Sequence, residues 1–106
     1  MKNIKQGYVY LTEVCDNTVR PAIVVNVFGD HSVIIPLRRV SSDDICTAVP
    51  VGQCAVQFEN NQDEYSMAQV DSIKSVPNKK IGRELGRLYD IDARACVMLL
   101  LTELEV

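Results

Sequence analysis

The sequence holds one histidine, His31, and none of its four cysteines (Cys15, Cys46, Cys54, Cys96) falls in a C-x-x-C pair. Scattered thiols with one imidazole lack the ligand spacings of a zinc site or a paired redox motif, so the cysteines read as small buried hydrophobes. No cofactor and no metal are expected. An excess of basic residues is missing too: 11 Lys+Arg stand against 14 Asp+Glu, a net charge of −3. That balance argues against a constitutive binder of duplex DNA, which is usually basic overall. The longest strongly apolar run, CVMLLL at 96–101, is far short of the roughly 20 residues of a spanning helix. The N-terminus, MKNIKQGYVYL, has no apolar stretch followed by a small-residue cleavage site. A cytoplasmic protein without a membrane partner is expected.

What is present describes one folded unit, 1–106. A chain of 106 residues with 47% hydrophobic and 24% charged residues can bury its own core and has no room for a second domain. Charge is uneven along it. Basic residues gather in PLRRV and NKKIGRELGRL, and acidic ones in NNQDEY and the TELEV tail.

Short apolar runs alternate with turn residues over the first three quarters, the spacing of an all-β barrel or sandwich. GYVYLTEV (7–14) alternates like a strand. PAIVVNVF (21–28) is β-branched and nearly continuous, so it is expected to be buried on both faces. Gly29 and Asp30 suit a tight hairpin, and SVIIPL (32–37) returns beside it, with Pro36 expected to stop or bulge that strand. RRVSSDD (38–44) reads as a loop. ICTAVPV (45–51) and QCAVQFE (53–59) read as strands about Gly52, NNQDE as a loop, and YSMAQV with DSIKSV (65–76) as strand with a bend. After Pro77 the period changes. Ile81, Leu85 and Leu88 at i, i+4, i+7 predict a short helix capped by Asn78, with Lys80, Arg83 and Arg87 on another stripe. Gly82 and Gly86 weaken that helix by about 1 kcal/mol each. DIDARACVMLLLTELEV predicts a last helix capped by Asp90 or Asp92, apolar around more than half its circumference and so in need of a covering surface.

One stretch, VRPAIVV (19–25), sets an arginine against a proline at the start of a strand. Proline biases the preceding residue toward extended backbone, so Arg20 is held at a strand mouth. A guanidinium there either closes the end of a core, paired with Asp16 or another carboxylate, or faces an anion.

These elements, with their residues, resemble the PemK/MazF family of toxins from bacterial toxin–antitoxin pairs. QGYVYLTEV is similar to the family's opening G-D-I-V-x-V-D strand, and VRPAIVV to its Arg-Pro followed by an apolar strand. VIIPLRR is similar to V-x-P-L-T. AQVDSIKSVPNKKIGRELGRL is similar to the late D-Q-I-R-T-I-D-K-x-R-L…I-G-x-L stretch, with Gln69, Ile73 and Leu85-Gly86-Arg87-Leu88 in register. The resemblance covers nearly the whole chain. It implies a mainly β fold, a small SH3-like barrel with one or two C-terminal helices, usually a homodimer. It also implies metal-free cleavage of single-stranded RNA and neutralisation by an antitoxin protein.

Such cleavage moves the 2′ oxygen of RNA onto the adjacent phosphorus. One group takes the 2′ proton, another protonates the leaving 5′ oxygen, and a cation offsets charge on the equatorial oxygens. The resemblance assigns Arg20 to the phosphate, since a guanidinium fork binds two oxygens and stays protonated. Arg38 stands where the family has the threonine or serine of P-L-T and is expected to assist. Asp16 and Ser41 are the catalytic candidates for proton transfer or hydrogen bonding. Thr18, Arg39, Ser42 and Gln69 are the candidates for substrate contact. Two departures stand out: Ala68 fills the position before Gln69 where some members carry a carboxylate, and the loop before Arg20 is shorter than the family's. A module that binds single-stranded nucleic acid or a protein without cutting is therefore the second reading. A gyrase poison similar to CcdB shares the fold, but no residue points to it. His31 reads as a turn residue, and Tyr8 and Tyr10 as half-buried packing before base-stacking platforms.

Overall fold

The computed structural model describes residues 3–39, 52–60 and 66–104. Among the described residues, seven strands precede one helix: β1 (Tyr8–Cys15), β2 (Thr18–Phe28), β3 (His31–Arg39), β4 (Cys54–Val56), β5 (Ser66–Ala68), β6 (Lys74–Pro77), β7 (Ile81–Arg87) and α1 (Asp90–Leu104). Single 3-10 turns lie at Val70–Ser72 and Asn78–Lys80. The sheet runs β4-β5-β3-β2-β1-β7, with β6 as a branch on β3, and its pairings are antiparallel. The two ends of this path meet. Phe58 and Leu88 form a bridge, the Glu59 N–H donates to the Arg87 carbonyl at 2.9 Å, and the Tyr89 N–H to the Gln57 carbonyl at 3.3 Å. The sheet therefore closes on itself, which leaves fewer unpaired edge groups.

Alternation along the strands divides the core in two. Val9, Ile23, Ile35, Leu37, Val56 and Phe58 turn to one side with Leu88 and Cys96. Their neighbours Tyr10, Ala22, Val24 and Ile34 turn to the other with Val76 and Ile81. The unbroken PAIVV run follows from this: successive side chains enter opposite clusters, and Ala22, Ile23 and Val24 are all buried. In α1, Ala93, Cys96 and Leu99 pack onto the first cluster, while Val97 and Met98 are 52% and 66% exposed.

The β2–β3 hairpin turns at Gly29, whose φ of 61° lies in the left-handed region. Asn78 ties this turn to the rest of the sheet. It accepts from the buried Ser32 hydroxyl at 2.6 Å, donates its side-chain amide to the Gly29 carbonyl at 3.0 Å, and donates its N–H to the Asp30 carbonyl at 2.8 Å. Asn78 is thus a hairpin clasp, not a helix cap.

The structure corrects several expectations. Residues 81–87 form a strand against β1, not a helix. Register shifts along β1–β7 reset the two-residue alternation, so Ile81 enters the second cluster while Leu85 and Leu88 both join the first. β2 begins at Thr18, ahead of the expected Pro21. Pro36 neither stops nor bulges β3. It stands where β3 leaves β6, last paired at Ile34, and takes up β5 at Leu37. Neither acid serves as the expected cap of α1: Asp92 accepts the Gln57 N–H at 3.0 Å, and Asp90 pairs with Arg87 at 2.8 Å. Cys15 is exposed and Cys54 only half-buried; Cys96 alone among the described cysteines is buried. The expected strand at 45–51 lies outside the described residues.

With no helix at 81–87, the basic stripe of Lys80, Arg83 and Arg87 disperses. Lys80 forms an ion pair with Glu13. That hydrogen bond holds the Glu13 carboxyl below its ordinary 4.5 and raises Lys80 above its ordinary 10.5. A lowered carboxyl stabilises the fold above its unfolded pKa, and the effect is lost as pH falls through the lowered value. A raised ammonium stabilises below its unfolded pKa and is lost as pH rises through the raised value. Lys80→Met should therefore lower the melting temperature across neutral pH. The difference from wild type should shrink to nothing in acid once Glu13 is protonated; a difference unchanged in acid contradicts the pairing.

Candidate functional site

A cleft of about 690 Å³ opens where five segments converge. Its floor is apolar, made by Pro21 from β2, Leu37 from β3, Phe58 after β4 and Leu85 from β7. Leu37, Phe58 and Leu85 belong to or pack against the first core cluster, so the cleft is a place where that core comes to the surface. Above the floor stand the cations: Arg38 and Arg39 at the end of β3, and Arg83 on β7.

Local chain features hold these walls. Asn60, at a φ of 68°, donates its side-chain amide to the Leu85 carbonyl at 3.4 Å and draws the 58–60 segment against β7. Gly86 makes that approach possible. A Cβ there would lie 2.3 Å from the Glu59 carbonyl oxygen, so glycine is required for closure and for the shape of this wall. On the other side, β3 pairs with β5 as Arg38 with Met67 and Arg39 with Ser66. Arg38 is half-buried and its Nε donates to the Gln53 side-chain oxygen at 3.4 Å. Arg83 is exposed and makes no ion pair or hydrogen bond to another described residue. No described residue takes up any of its five N–H donors.

Glu84 adds one carboxylate to the rim. Lys5 lies 3.4 Å from it and the Tyr10 hydroxyl 3.5 Å. The Glu84 carboxylate raises Lys5 above its ordinary 10.5, so an ammonium stands beside this carboxylate through the neutral range. Among the described residues, the cleft gathers three guanidinium groups and one carboxylate, although the chain as a whole is acidic. Guanidinium groups above an apolar floor suit a ligand that is anionic along one edge and flat or apolar along the other.

Of the residues nominated from the sequence, Arg38 and Arg39 line the cleft. Arg20 does not. It stands opposite Thr12 near the start of β2, exposed and without a described partner. It alternates with Ala22 and Val24, so it leaves the strand on the face opposite Pro21, which does line the cleft. Asp16 and Thr18 lie in and beside the β1–β2 turn, Asp16 exposed and Thr18 half-buried, outside the cleft walls. Gln69 follows β5, half-buried, its N–H donating to the Pro36 carbonyl at 2.9 Å. Ser41 and Ser42 lie outside the described residues. His31 is exposed at the hairpin, 2.8 Å from Asp30. Tyr10 is buried, and Tyr8 is half-buried beneath the Lys5 ammonium at 4.8 Å.

Arg83 and Glu84 escaped the sequence reading. The signal for them was the Gly82–Gly86 pair, a poor helix interior and a good close-packed strand. With IGRELGR taken as a strand, Arg83 and Leu85 share a face and Arg83 belongs beside the core opening. Among the described residues no group of three or more His, Cys, Asp or Glu side chains is placed to hold a metal ion, and no helix is long and apolar enough to cross a membrane.

No family model and no curated protein matches the chain in sequence. Solved structures do match its backbone. An endoribonuclease from Mycobacterial species superposes with a TM-score of 0.74 over 100% of this chain and 95% of its own, at 16% identity. A second, an endoribonuclease in complex with its cognate antitoxin, also from Mycobacterial species, gives a TM-score of 0.75 over 98% and 97%, again at 16% identity. The chain has this endoribonuclease fold. Both likenesses extend over nearly the full length of each partner. Within the endoribonuclease fold, the arginines of the cleft sit on β3 and β7, the strands on either side of the β2–β1 pair.

Proposed function

We propose that the protein is a toxin-type endoribonuclease that binds single-stranded RNA across this cleft and is neutralised by a cognate antitoxin. The observation that carries the reading is the set Arg38, Arg39 and Arg83 around one apolar-floored cleft, in a chain whose fold is that of mycobacterial endoribonucleases. Phosphate oxygens meet the guanidinium groups, and a base lies over Phe58 and Leu85. As the 2′ oxygen attacks phosphorus, charge grows on the equatorial oxygens, where fixed donors stabilise it more than in the ground state. Glu84, the carboxylate on the rim, takes the 2′ proton. Arg20 meets the RNA backbone where it passes the start of β2, with Asp16 and Thr18 beside it in the turn. Ser41, Ser42 and Gln69 remain substrate and hydroxyl candidates on the β3 side.

The antitoxin assignment is supported by the complex in which the second endoribonuclease was solved. A homodimer, with the closed sheet as a small SH3-like barrel in each copy, is supported by the exposed Val97 and Met98 of α1. Cytoplasmic residence accords with an RNA substrate.

Purified protein incubated with single-stranded RNA in EDTA should yield fragments ending in a cyclic phosphate. RNA that stays intact while a bound complex forms favours the second reading, a binding module without cleavage. That reading has its own observation: Arg38 occupies the position of the family's hydroxyl residue, and Ala68 that of a carboxylate.

A further inference from the structure

We propose that Cys54 and Cys96 form a reversible disulfide by exchange with a low-molecular-weight disulfide, making this pair a redox modification site separate from the RNA cleft. The two sulfurs lie 3.3 Å apart, one on β4 and one on α1, and both thiols are free. Closing the bond needs a movement of little more than an ångström between side chains already in contact.

The pair is asymmetric, as an exchange site requires. Cys54 is half-buried and accessible to reagent, whereas Cys96 is buried behind it. The Cys96 thiol, hydrogen-bonded to the Cys54 sulfur, holds Cys54 below the ordinary thiol range against burial and the nearby Asp92 carboxylate; the same bond and burial push Cys96 up. Thiolate, not thiol, is the attacking species, so Cys54 reacts first. Its sulfur bonds to one sulfur of the reagent and expels the other as a thiolate. Cys96 then gives its proton to solvent and attacks Cys54, releasing the second reagent thiol. Two protein thiols are oxidised, and one reagent disulfide is reduced to two thiols.

The bond would join α1 to β4 across 42 residues of sequence. It would also fix the residue next to Gln53, whose side chain holds Arg38 at the cleft. Oxidation therefore restrains one wall of the cleft through the shared core.

The test uses the intact chain and oxidised glutathione, read by peptide mapping without reduction. The expected result is a bridge between the peptides carrying Cys54 and Cys96, reversed by dithiothreitol. Cys96→Ser should trap glutathione on Cys54, and Cys54→Ser should leave Cys96 unmodified. Should either variant fail to fold, the wild-type map decides alone. A stable glutathione adduct on Cys54 in wild type overturns the proposal. So does a bridge made instead through Cys15 or Cys46, or two unreacted thiols at 54 and 96 while the exposed Cys15 is modified.

Discussion

Arg83→Ala is expected to lower RNA cleavage by roughly tenfold to a hundredfold, the value of one or two charge-assisted hydrogen bonds at about 1.5–3 kcal/mol. Its melting temperature should be that of wild type, because the guanidinium is exposed and bonds to no described residue. Arg83→Lys keeps the charge but loses the fork, and should recover only part of the rate. The salt dependence of binding should change as well. Removing one phosphate contact to a single strand lowers the slope of log affinity against log salt by about 0.7. Arg38→Ala should behave alike in the RNA assays, with a small loss of stability from the bond to Gln53. Cleavage unaltered in the Arg83 and Arg38 variants would place the chemistry elsewhere.

The second large effect concerns the wall and not the ligand. Gly86→Ala sets a methyl carbon 2.3 Å from the Glu59 carbonyl oxygen, against backbone that is itself hydrogen-bonded to Arg87. No side-chain rotation relieves that clash. The expected cost is about 3 kcal/mol, a fall of roughly 10–20 °C in melting temperature for a domain of this size. Gly82→Ala, with its Cβ 2.9 Å from the Leu11 carbonyl oxygen, should cost less. Gly29→Ala meets open space and should lose only about 1–2 kcal/mol from its left-handed backbone. That order, read by thermal unfolding, separates tertiary crowding from backbone strain. An alanine at 86 as stable as wild type would mean that the sheet does not close as described.

The two glycines also show where sequence reading ran out. The β2–β3 hairpin was legible because its signals are local: β-branched runs flank a Gly-Asp turn, and the turn needs a positive φ. The last helix was legible for the same reason, since its apolar residues lie on one continuous segment. Residues 81–88 were not. Ile81, Leu85 and Leu88 satisfy a helical period as well as a strand with register shifts, and only β1 and the Glu59 carbonyl across the closure decide between them. Those partners are distant in sequence, so tertiary pairing overrode the local period.

The site divides along the same line. Arg38 and Arg39 were nominated because PLRR resembles the P-L-T segment, whereas Arg83 lay on a misread element and was not nominated. Arg20 shows a different gap. The proline beside it does line the cleft, but strand alternation sends the arginine to the other face. A motif names adjacent residues; the pleat separates them.

The most direct measurement is a titration of the protein with a single-stranded RNA carrying a 2′-deoxy residue at the cleavage position, which binds but cannot be cut, followed by NMR of the arginine Nε–H groups. Arg38, Arg39 and Arg83 should shift together and saturate with one binding curve. Shifts confined to Arg87 and Arg94, with the three cleft arginines unmoved, would contradict the account.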